Sequence, residues 1–264
     1  MSRRGFGSPP SAPVAKMPPM SVDAADLLLV AAARVAEPAG REWLAVAGAE
    51  VASAGITATA IGVKIAAARR CLGDAPIDFT ETERRLLSDA GMDGARAWSL
   101  ERCARAALIL KGVASSGAQE PQRIVDELYR TGDTLERCAL LGCLALMPEP
   151  ARFVETAVES CRTHVVDVFE SIACENVYPA MFFGDSAFNQ MVLKAIFLEV
   201  AVDRISGLDR RANEDLARMV AGYASERTSA GRAVPADVDR VIALVAETRA
   251  SAQTKRHENR RDVG

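Results

Sequence analysis

Apolar residues recur along most of the chain at spacings of three and four, which is the period of an amphipathic α-helix. Glycine and proline positions separate these periodic segments from one another. No pair of alternating apolar and polar runs flanks a hairpin turn, so the pattern predicts an all-α protein. The predicted helices span 22–36, 41–54, 57–70, 100–113, 119–130, 133–146, 151–171, 187–201, 213–224 and 236–250.

Short local signals mark several helix ends. Thr80 followed by Glu83 is a capping-box pattern and predicts that a helix begins there. Ser99 is a predicted N-cap, because its hydroxyl can accept a hydrogen bond from the first turn of the following helix. Pro38 and Gly40 are expected to end the first helix.

Two neighbouring predicted helices suggest how the helices are arranged. The segments 133–146 and 151–171 are joined at Pro148 and Pro150. Two antiparallel helices joined at a proline resemble one unit of a HEAT-like α-solenoid, although no fixed-period repeat runs through the chain. We therefore expect a helical array of antiparallel helix pairs, with the HEAT-like solenoid as its most specific form.

The amino-acid composition predicts how the chain divides into a domain and flanking segments. Apolar residues make up 49% of the chain and aromatic residues only 5%, so Ala, Val and Leu fill the core, as in closely packed helices. The first residues are rich in Pro, Ser and Gly and lack the apolar core of a signal peptide. We expect a disordered leader over 1–20, a single all-α domain over 21–250 and a charged disordered tail over 251–264.

The net charge and the counts of apolar, histidine and cysteine residues argue against several classes of partner and cofactor. The apolar run 27–33 is too short to cross a bilayer, so we expect no transmembrane segment and a cytoplasmic protein. A net charge of -3 argues against non-specific binding of nucleic acid. With two histidines, and six cysteines that form no CxxC pair, we expect no metal and no cofactor. The cysteines are expected to be reduced and mostly buried.

The least ordinary stretch is 172–194, where polar residues are interspersed with phenylalanines. Pro179 and Gly184 are expected to keep 174–186 out of a long helix, and Asp185 or the serine after it to cap the next one. That next helix is strongly apolar and is expected to be buried, so its polar side chains must find hydrogen-bond partners. Either they pin the 174–186 loop or they contact a ligand. These side chains are Asn189, Gln190 and Lys194.

Arginines are frequent over 204–232. One interpretation is a solvated, salt-bridged surface, which contributes little to stability. The other is that some of them bind an anionic group such as phosphate or carboxylate. The surface interpretation is favoured for Arg210, whereas the two remain balanced for Arg211 and Arg218.

Catalytic signals are weak. Cys174 lies beside Glu175, but a catalytic thiolate needs a cationic or imidazole neighbour, and His164 lies on the preceding predicted helix. Glu175 and Asp185 are a conceivable acid–base pair. The chain has no Gly-rich phosphate loop, no HExxH, no GxSxG and no Rossmann pattern, so no catalytic residue is assigned.

Six segments of the chain are distinctive, namely LLGCLALMP (140–148), FESIACENVYPA (169–180), FNQMVLKA (188–195), RISGL (204–208), LARM (216–219) and YASER (223–227). They resemble the EboA family, in the order in which they occur in that family. One departure is Val177, where the family pattern reads Cys-Glu-Asn-Pro-Tyr-Pro; without the proline the loop is less rigid and gains a backbone donor. The resemblance covers about 130–245, and more loosely the N-terminal half.

The resemblance implies a role in handling a natural-product precursor. Genes of this family lie in clusters with a prenyltransferase-like membrane protein, a sugar-phosphate-cyclase-like enzyme and metal-hydrolase-like proteins, and the EboA member itself has no settled reaction. The expected partners are pathway proteins and a small-molecule ligand. The family positions carried over as a candidate site are Cys174, Glu175, Asn176, Tyr178, Asn189, Gln190, Lys194 and Arg218.

Three functional hypotheses follow. The first is a non-enzymatic helical binding protein or adaptor for the biosynthesis or export of a small-molecule precursor. The second is an enzyme acting on a small polar or phosphorylated intermediate. In it, Glu175 or Asp185 is the acid/base, and Lys194 or Arg218 contacts the anion. The third is a purely structural subunit. The predicted ligand-binding residues are Cys174, Glu175, Asn176, Tyr178, Asp185, Asn189, Gln190, Lys194, Arg211 and Arg218.

Overall fold

A computed structural model describes residues 23–117 and 120–248, and it confirms the all-α prediction. Within these residues there is no strand, only one isolated antiparallel bridge between Pro76 and Ser99. The α-helices are α1 (Ala24–Val35), α2 (Pro38–Val51), α3 (Ala58–Leu72), α4 (Glu81–Asp89), α5 (Leu100–Ser115), α6 (Pro121–Thr131), α7 (Thr134–Gly142), α8 (Val154–Ser160), α9 (Val166–Ala173), α10 (Tyr178–Phe182), α11 (Asp185–Phe197), α12 (Leu208–Arg211), α13 (Glu214–Ser229) and α14, described over 237–248.

The described residues form two compact units, an N-terminal unit over 23–182 and a C-terminal unit over 183–248. The single domain expected over 21–250 stays a prediction, as does the HEAT-like form of the array. The leader expected over 1–20 and the tail expected over 251–264 lie outside the described residues.

The N-terminal unit is built around α5. Every residue of α5 from Cys103 to Leu110 is buried, which is typical of a helix enclosed by others rather than lying on a surface. Helices α1, α2, α3 and α7 pack against it. Its alanines let these neighbours approach closely, which explains how a chain with few aromatic residues fills its core.

Two predicted caps are confirmed. Thr80 Oγ1 accepts a hydrogen bond from Glu83 N at 3.3 Å, and Thr80 N donates to Glu83 Oε2 at 2.7 Å, so the capping box at α4 is complete. Ser99 Oγ accepts from Arg102 N at 3.4 Å at the start of α5. Each such cap contributes about 1 kcal/mol to helix stability.

The predicted boundary near residue 40 is wrong. Pro38 begins α2, where a residue without an amide hydrogen costs nothing, because first-turn N–H groups have no helical partner. Gly40 lies inside the same helix, and a Cβ there would come within 2.9 Å of Cys71 O. Gly40 therefore serves the close approach of α2 to the end of α3 instead of ending a helix.

The long helix predicted over 151–171 is also wrong, because the segment divides into a 3-10 turn, α8 and α9. At the break between α8 and α9, side-chain hydroxyl groups form hydrogen bonds with backbone groups in place of the helical backbone hydrogen bonds. Ser160 Oγ donates to Ala157 O at 2.6 Å, and Thr163 Oγ1 accepts from Val165 N at 3.1 Å. Short hydroxyl side chains commonly end helices in this way.

In the C-terminal unit, α11 packs against α13. Buried Phe188, Val192 and Ile196 of α11 provide its apolar face, and Leu216 and Val220 are buried on α13. Helix α14 is fastened to the segment before α12 by polar contacts. Asp237 Oδ2 accepts from Val202 N at 3.2 Å, and Arg240 pairs with Asp203.

Glu199 offers a test of local strain at the end of α11. Its φ of 58° lies in the left-handed region, and the helix ends with Val200 N donating to Ala195 O at 2.9 Å. Glycine is the preferred residue at this position of such a motif. Glu199→Gly is therefore expected to raise the free energy of unfolding by about 0.5–1 kcal/mol in urea titrations.

The matched control is Glu226→Gly, the same substitution in the right-handed helical backbone of α13. There glycine relieves no strain, and it is expected to lower the free energy of unfolding by about 0.5–1 kcal/mol. Equal destabilisation by both substitutions would contradict the strain at Glu199.

Candidate functional site

The structure divides the predicted site residues between the two units. Cys174, Glu175, Asn176 and Tyr178 belong to the N-terminal unit, whereas the predicted residues from Asp185 to Arg218 belong to the C-terminal unit.

Asn176 fixes the chain between α9 and α10. It is only 6% exposed, and its amide nitrogen donates to Leu141 O at 3.1 Å and to Ser171 O at 2.9 Å. Its Oδ1 accepts from Tyr178 N at 2.9 Å. A single side chain therefore holds the ends of α7 and α9 and the start of α10. We call residues 174–178 the corner.

Tyr178 anchors the corner at its other side. It is fully buried, and its hydroxyl donates to Pro150 O at 2.7 Å. Its ring centroid lies 4.8 Å from that of Phe182. Burial raises the pKa of the Tyr178 phenol, so the side chain stays a neutral hydrogen-bond donor.

The corner is seated on the segment between α4 and α5. A Cβ added at Gly94 would lie 2.9 Å from Glu175 Cβ, and one at Gly91 would lie 2.7 Å from Val177 Cγ2. Glu175 itself has a φ of 46°, an uncommon backbone conformation for a residue with a side chain. Cys174, which follows the last residue of α9, is buried.

In the C-terminal unit, Asn189 bonds Asn213. Their amides exchange two hydrogen bonds, of 2.9 and 3.1 Å. Asn213 Oδ1 also accepts from Leu216 N at 2.9 Å and so caps α13. The interpretation in which Asn189 pins the 174–186 loop is corrected by this geometry, because the Asn189 amide joins α11 to the start of α13.

Arg211 forms hydrogen bonds with residues at the start of α11. Its Nη2 donates to Phe183 O at 2.8 Å and to Asp185 Oδ1 at 2.9 Å, and its guanidinium lies 4.7 Å from the Phe188 ring centroid. The predicted side-chain cap is wrong, since Gly184 precedes the helix and no side chain caps it. Asp185 is the first helical residue, where a carboxylate is favoured by the helix dipole.

The remaining predicted residues lie nearer the surface. Gln190 is exposed and Lys194 is half-buried. Arg218 is exposed and pairs with Asp215 at 2.8 Å, three residues earlier on α13. This geometry agrees with the surface interpretation of Arg218, and such pairs contribute little to stability.

Sequence reasoning missed Arg102, which lies directly behind the corner. Its Nη2 donates to Ser171 Oγ at 3.1 Å and to Cys138 O at 3.3 Å, and its guanidinium lies 4.7 Å from the Trp98 ring centroid. Asn176 holds the carbonyl of the same Ser171. Burial lowers the pKa of the Arg102 guanidinium.

A glycine permits this arrangement. A Cβ at Gly142 would lie 2.5 Å from Trp98 Cζ2, so any larger residue would displace the ring beneath Arg102. The available sequence signal was an arginine in the first turn of a helix that is largely apolar and buried, although it also contains Glu101, Arg105 and Lys111. Its partners lie 36 and 69 residues away, which no local pattern reveals.

The thiols described in the core are protected rather than activated. Burial raises the pKa of Cys103 and of Cys143 to about 12, whereas a nucleophilic cysteine needs a lowered pKa. His164 is exposed in the turn between α8 and α9. The geometry thus offers no support for cysteine catalysis at these two thiols.

Alkylation measures the reactivity of these thiols directly. At pH of about 8, iodoacetamide should modify half-buried Cys71 in the folded protein, and Cys103 and Cys143 only after unfolding in urea, because they carry almost no thiolate. Peptide mass spectrometry gives the labelled positions, and Cys71→Ser should remove this label. Rapid alkylation of Cys103 in the folded protein would contradict the prediction.

Over 23–117 and 120–248, no three His, Cys, Asp or Glu side chains converge where they could hold a metal ion. In the same ranges, no helix has the length and apolarity needed to cross a membrane.

Fold and site together define an all-α protein in which polar side chains fix a bend between helices. The chain belongs to the EboA family: the family model described as "Metabolite traffic protein EboA" matches residues 24–243. The resemblance seen in the sequence is thereby confirmed. No curated protein and no solved structure matches the chain.

Proposed function

We propose that this chain is a helical binding protein or adaptor of metabolite traffic, which serves a natural-product gene cluster in the biosynthesis or export of a small-molecule precursor. The observation that carries the proposal is the corner, where Asn176 makes hydrogen bonds to three backbone groups, one of them in Ser171, whose hydroxyl accepts a hydrogen bond from the cationic Arg102. A polar site held rigid in advance loses little entropy when a ligand binds. The family description, metabolite traffic, fits such a role.

The proton affinities of the described side chains favour binding over catalysis. Burial raises the pKa of the Cys103 and Cys143 thiols and of the Tyr178 phenol, so all three stay protonated near neutral pH and do not provide a nucleophilic or basic anion. Tyr178 and Asn176 instead donate hydrogen bonds to backbone carbonyls. These hydrogen bonds stabilise the backbone of the corner and leave both side chains without a role in proton transfer.

Glu175 is the observation that favours the alternative, an enzyme acting on a small polar or phosphorylated intermediate. Its φ of 46° places a carboxylate in a strained backbone conformation, and strain of this kind is frequent at functional positions. In this proposal Glu175 is the acid or base. Glu175→Gln, which keeps the shape and removes the charge, would then abolish product formation in cells that carry the gene.

Co-purification tests the binding role. The folded protein is isolated from cells that carry the gene, then denatured, and the released small molecules are identified by mass spectrometry. Proteins that co-purify are identified in parallel, and titration calorimetry measures their affinity. A metabolite enriched over a mock purification supports the proposal, as does a partner protein of the same pathway. Folded protein that carries neither would overturn it.

A further inference from the structure

The guanidinium of Arg102 is a cation that forms no ion pair with a carboxylate of residues 23–117 and 120–248. Within the described chain its hydrogen bonds go to a carbonyl and a hydroxyl, and no Asp or Glu lies within ion-pair distance of it. The neighbouring Glu101 is paired instead with Arg105, at 2.7 Å. Placing a charge in a protein interior is costly unless an opposite charge compensates it.

The position of Arg102 in α5 increases this cost. Ser99 is the N-cap, so Arg102 is the third residue of the helix. The N-terminal end of a helix carries a partial positive charge, which favours anions and disfavours cations. Arg102 and the end of α5 therefore add their positive potentials at one place.

The donors of Arg102 are only partly used. Nη2 makes both hydrogen bonds, whereas Nε is enclosed and has no acceptor among the described residues. Nη1 bonds no residue of the described chain and is not among the enclosed atoms, so it remains accessible to solvent. Arg102 as a whole is half-buried, and Trp98 and Ser171 hold its orientation from two sides.

We propose that Arg102 is an anion-binding residue, which pairs through its open Nη1 edge with the carboxylate or phosphate group of a small metabolite. An incoming anion supplies the ion-pair partner that the described residues do not provide, and an arginine already held in place forms such charge-assisted bonds at low entropic cost. Ser171 and Trp98 are positioning residues for it. The inference rests on the proposed binding function and names the chemical class of the ligand.

Phosphate protection of the wild-type protein is the first test. Phenylglyoxal modifies accessible guanidinium groups, and peptide mass spectrometry locates the modified arginines. Inorganic phosphate at millimolar concentration should slow modification of Arg102 and leave the exposed Arg123 unaffected. Succinate in place of phosphate separates a carboxylate preference from a phosphate preference, and glucose is the neutral control. Equal modification of Arg102 with and without both anions would overturn the proposal.

Titration calorimetry of variants is the second test. Arg102→Gln should weaken binding of the protecting anion by about tenfold or more, since the charge-assisted bond is lost, and Arg123→Gln should leave binding unchanged. Arg102→Lys keeps the charge but not the planar fork, so it should bind more weakly than wild type and more tightly than Arg102→Gln. If Arg102 only braced α7 and α9, Arg102→Gln would unfold more easily and bind the anion as before.

These outcomes are distinguishable from failure of the binding function itself. If metabolites co-purify equally with wild type and Arg102→Gln, the function stands and the anion site fails. If neither a metabolite nor a pathway protein co-purifies while phosphate protects Arg102, the anion site stands and the proposed function fails. The protection experiment uses the unaltered chain, so poor folding of a variant does not prevent a result.

Discussion

Replacing Glu101 with glutamine is expected to lower the free energy of unfolding by about 3–5 kcal/mol. Glu101 and Arg105 are 3% and 2% exposed, and Arg105 Nη1 lies 2.7 Å from Glu101 Oε2. The N–H does not point at that oxygen, so the contact is an ion pair without an aligned hydrogen bond. Arg105 is also tied to α3, since its Nε donates to Ile65 O at 2.9 Å. Glutamine keeps the shape and leaves the Arg105 charge buried without compensation.

Urea unfolding, monitored by circular dichroism, measures this loss in the free energy of unfolding. The double variant Glu101→Leu with Arg105→Met should recover most of it, because replacing both charges with apolar groups leaves neither unpaired. The exposed pair of Glu159 and Arg162, at 2.6 Å, is the matched surface control. Glu159→Gln should change stability by less than about 1 kcal/mol. A loss below that value in Glu101→Gln would show that the buried pair is unimportant.

Asn176→Ala is expected to lower the free energy of unfolding by about 2–4 kcal/mol. The amide satisfies Leu141 O, Ser171 O and Tyr178 N, and the site is too buried for water to replace all three. Buried carbonyl and amide groups without partners are the physical cause of the loss. Thermal unfolding and urea unfolding should both show a loss of stability of this size.

The control is Gln190→Ala, an exposed amide on α11, which should remain within about 0.5 kcal/mol of wild type. The outcome also separates two hypotheses. If Asn176→Ala stays folded and loses its co-purifying metabolite, the corner is part of the binding site. If it unfolds outright, the corner is structural first. Wild-type stability in Asn176→Ala would refute the role assigned to the amide.

The candidate site was partly visible in the sequence. Polar residues over 172–194 indicated a fixed bend, and Asn176 provides it through Leu141, which lies 35 residues earlier. Asn189 was expected to be buried and is, at 2% exposure, but its partner Asn213 lies 24 residues away. Burial follows from the apolar context of a residue, whereas its partner depends on which helix packs beside it.

The sequence by itself determined the helical class and the helix ends that neighbouring residues dictate. The capping box at Thr80 and the cap at Ser99 act within one turn, so a local pattern contains all their atoms. Hydrophobic periodicity is likewise a property of short segments.

Tertiary structure decided the partners of charged side chains that contact other helices. Arg105 pairs with Glu101 four residues earlier on α5, which helical spacing alone permits, whereas Arg102 contacts α7 and α9 and pairs with no carboxylate of the described residues. The same holds for Asp185, whose partner Arg211 replaces the predicted cap. Partners on different segments are set by distances through space, and those distances exist only once the helices have packed.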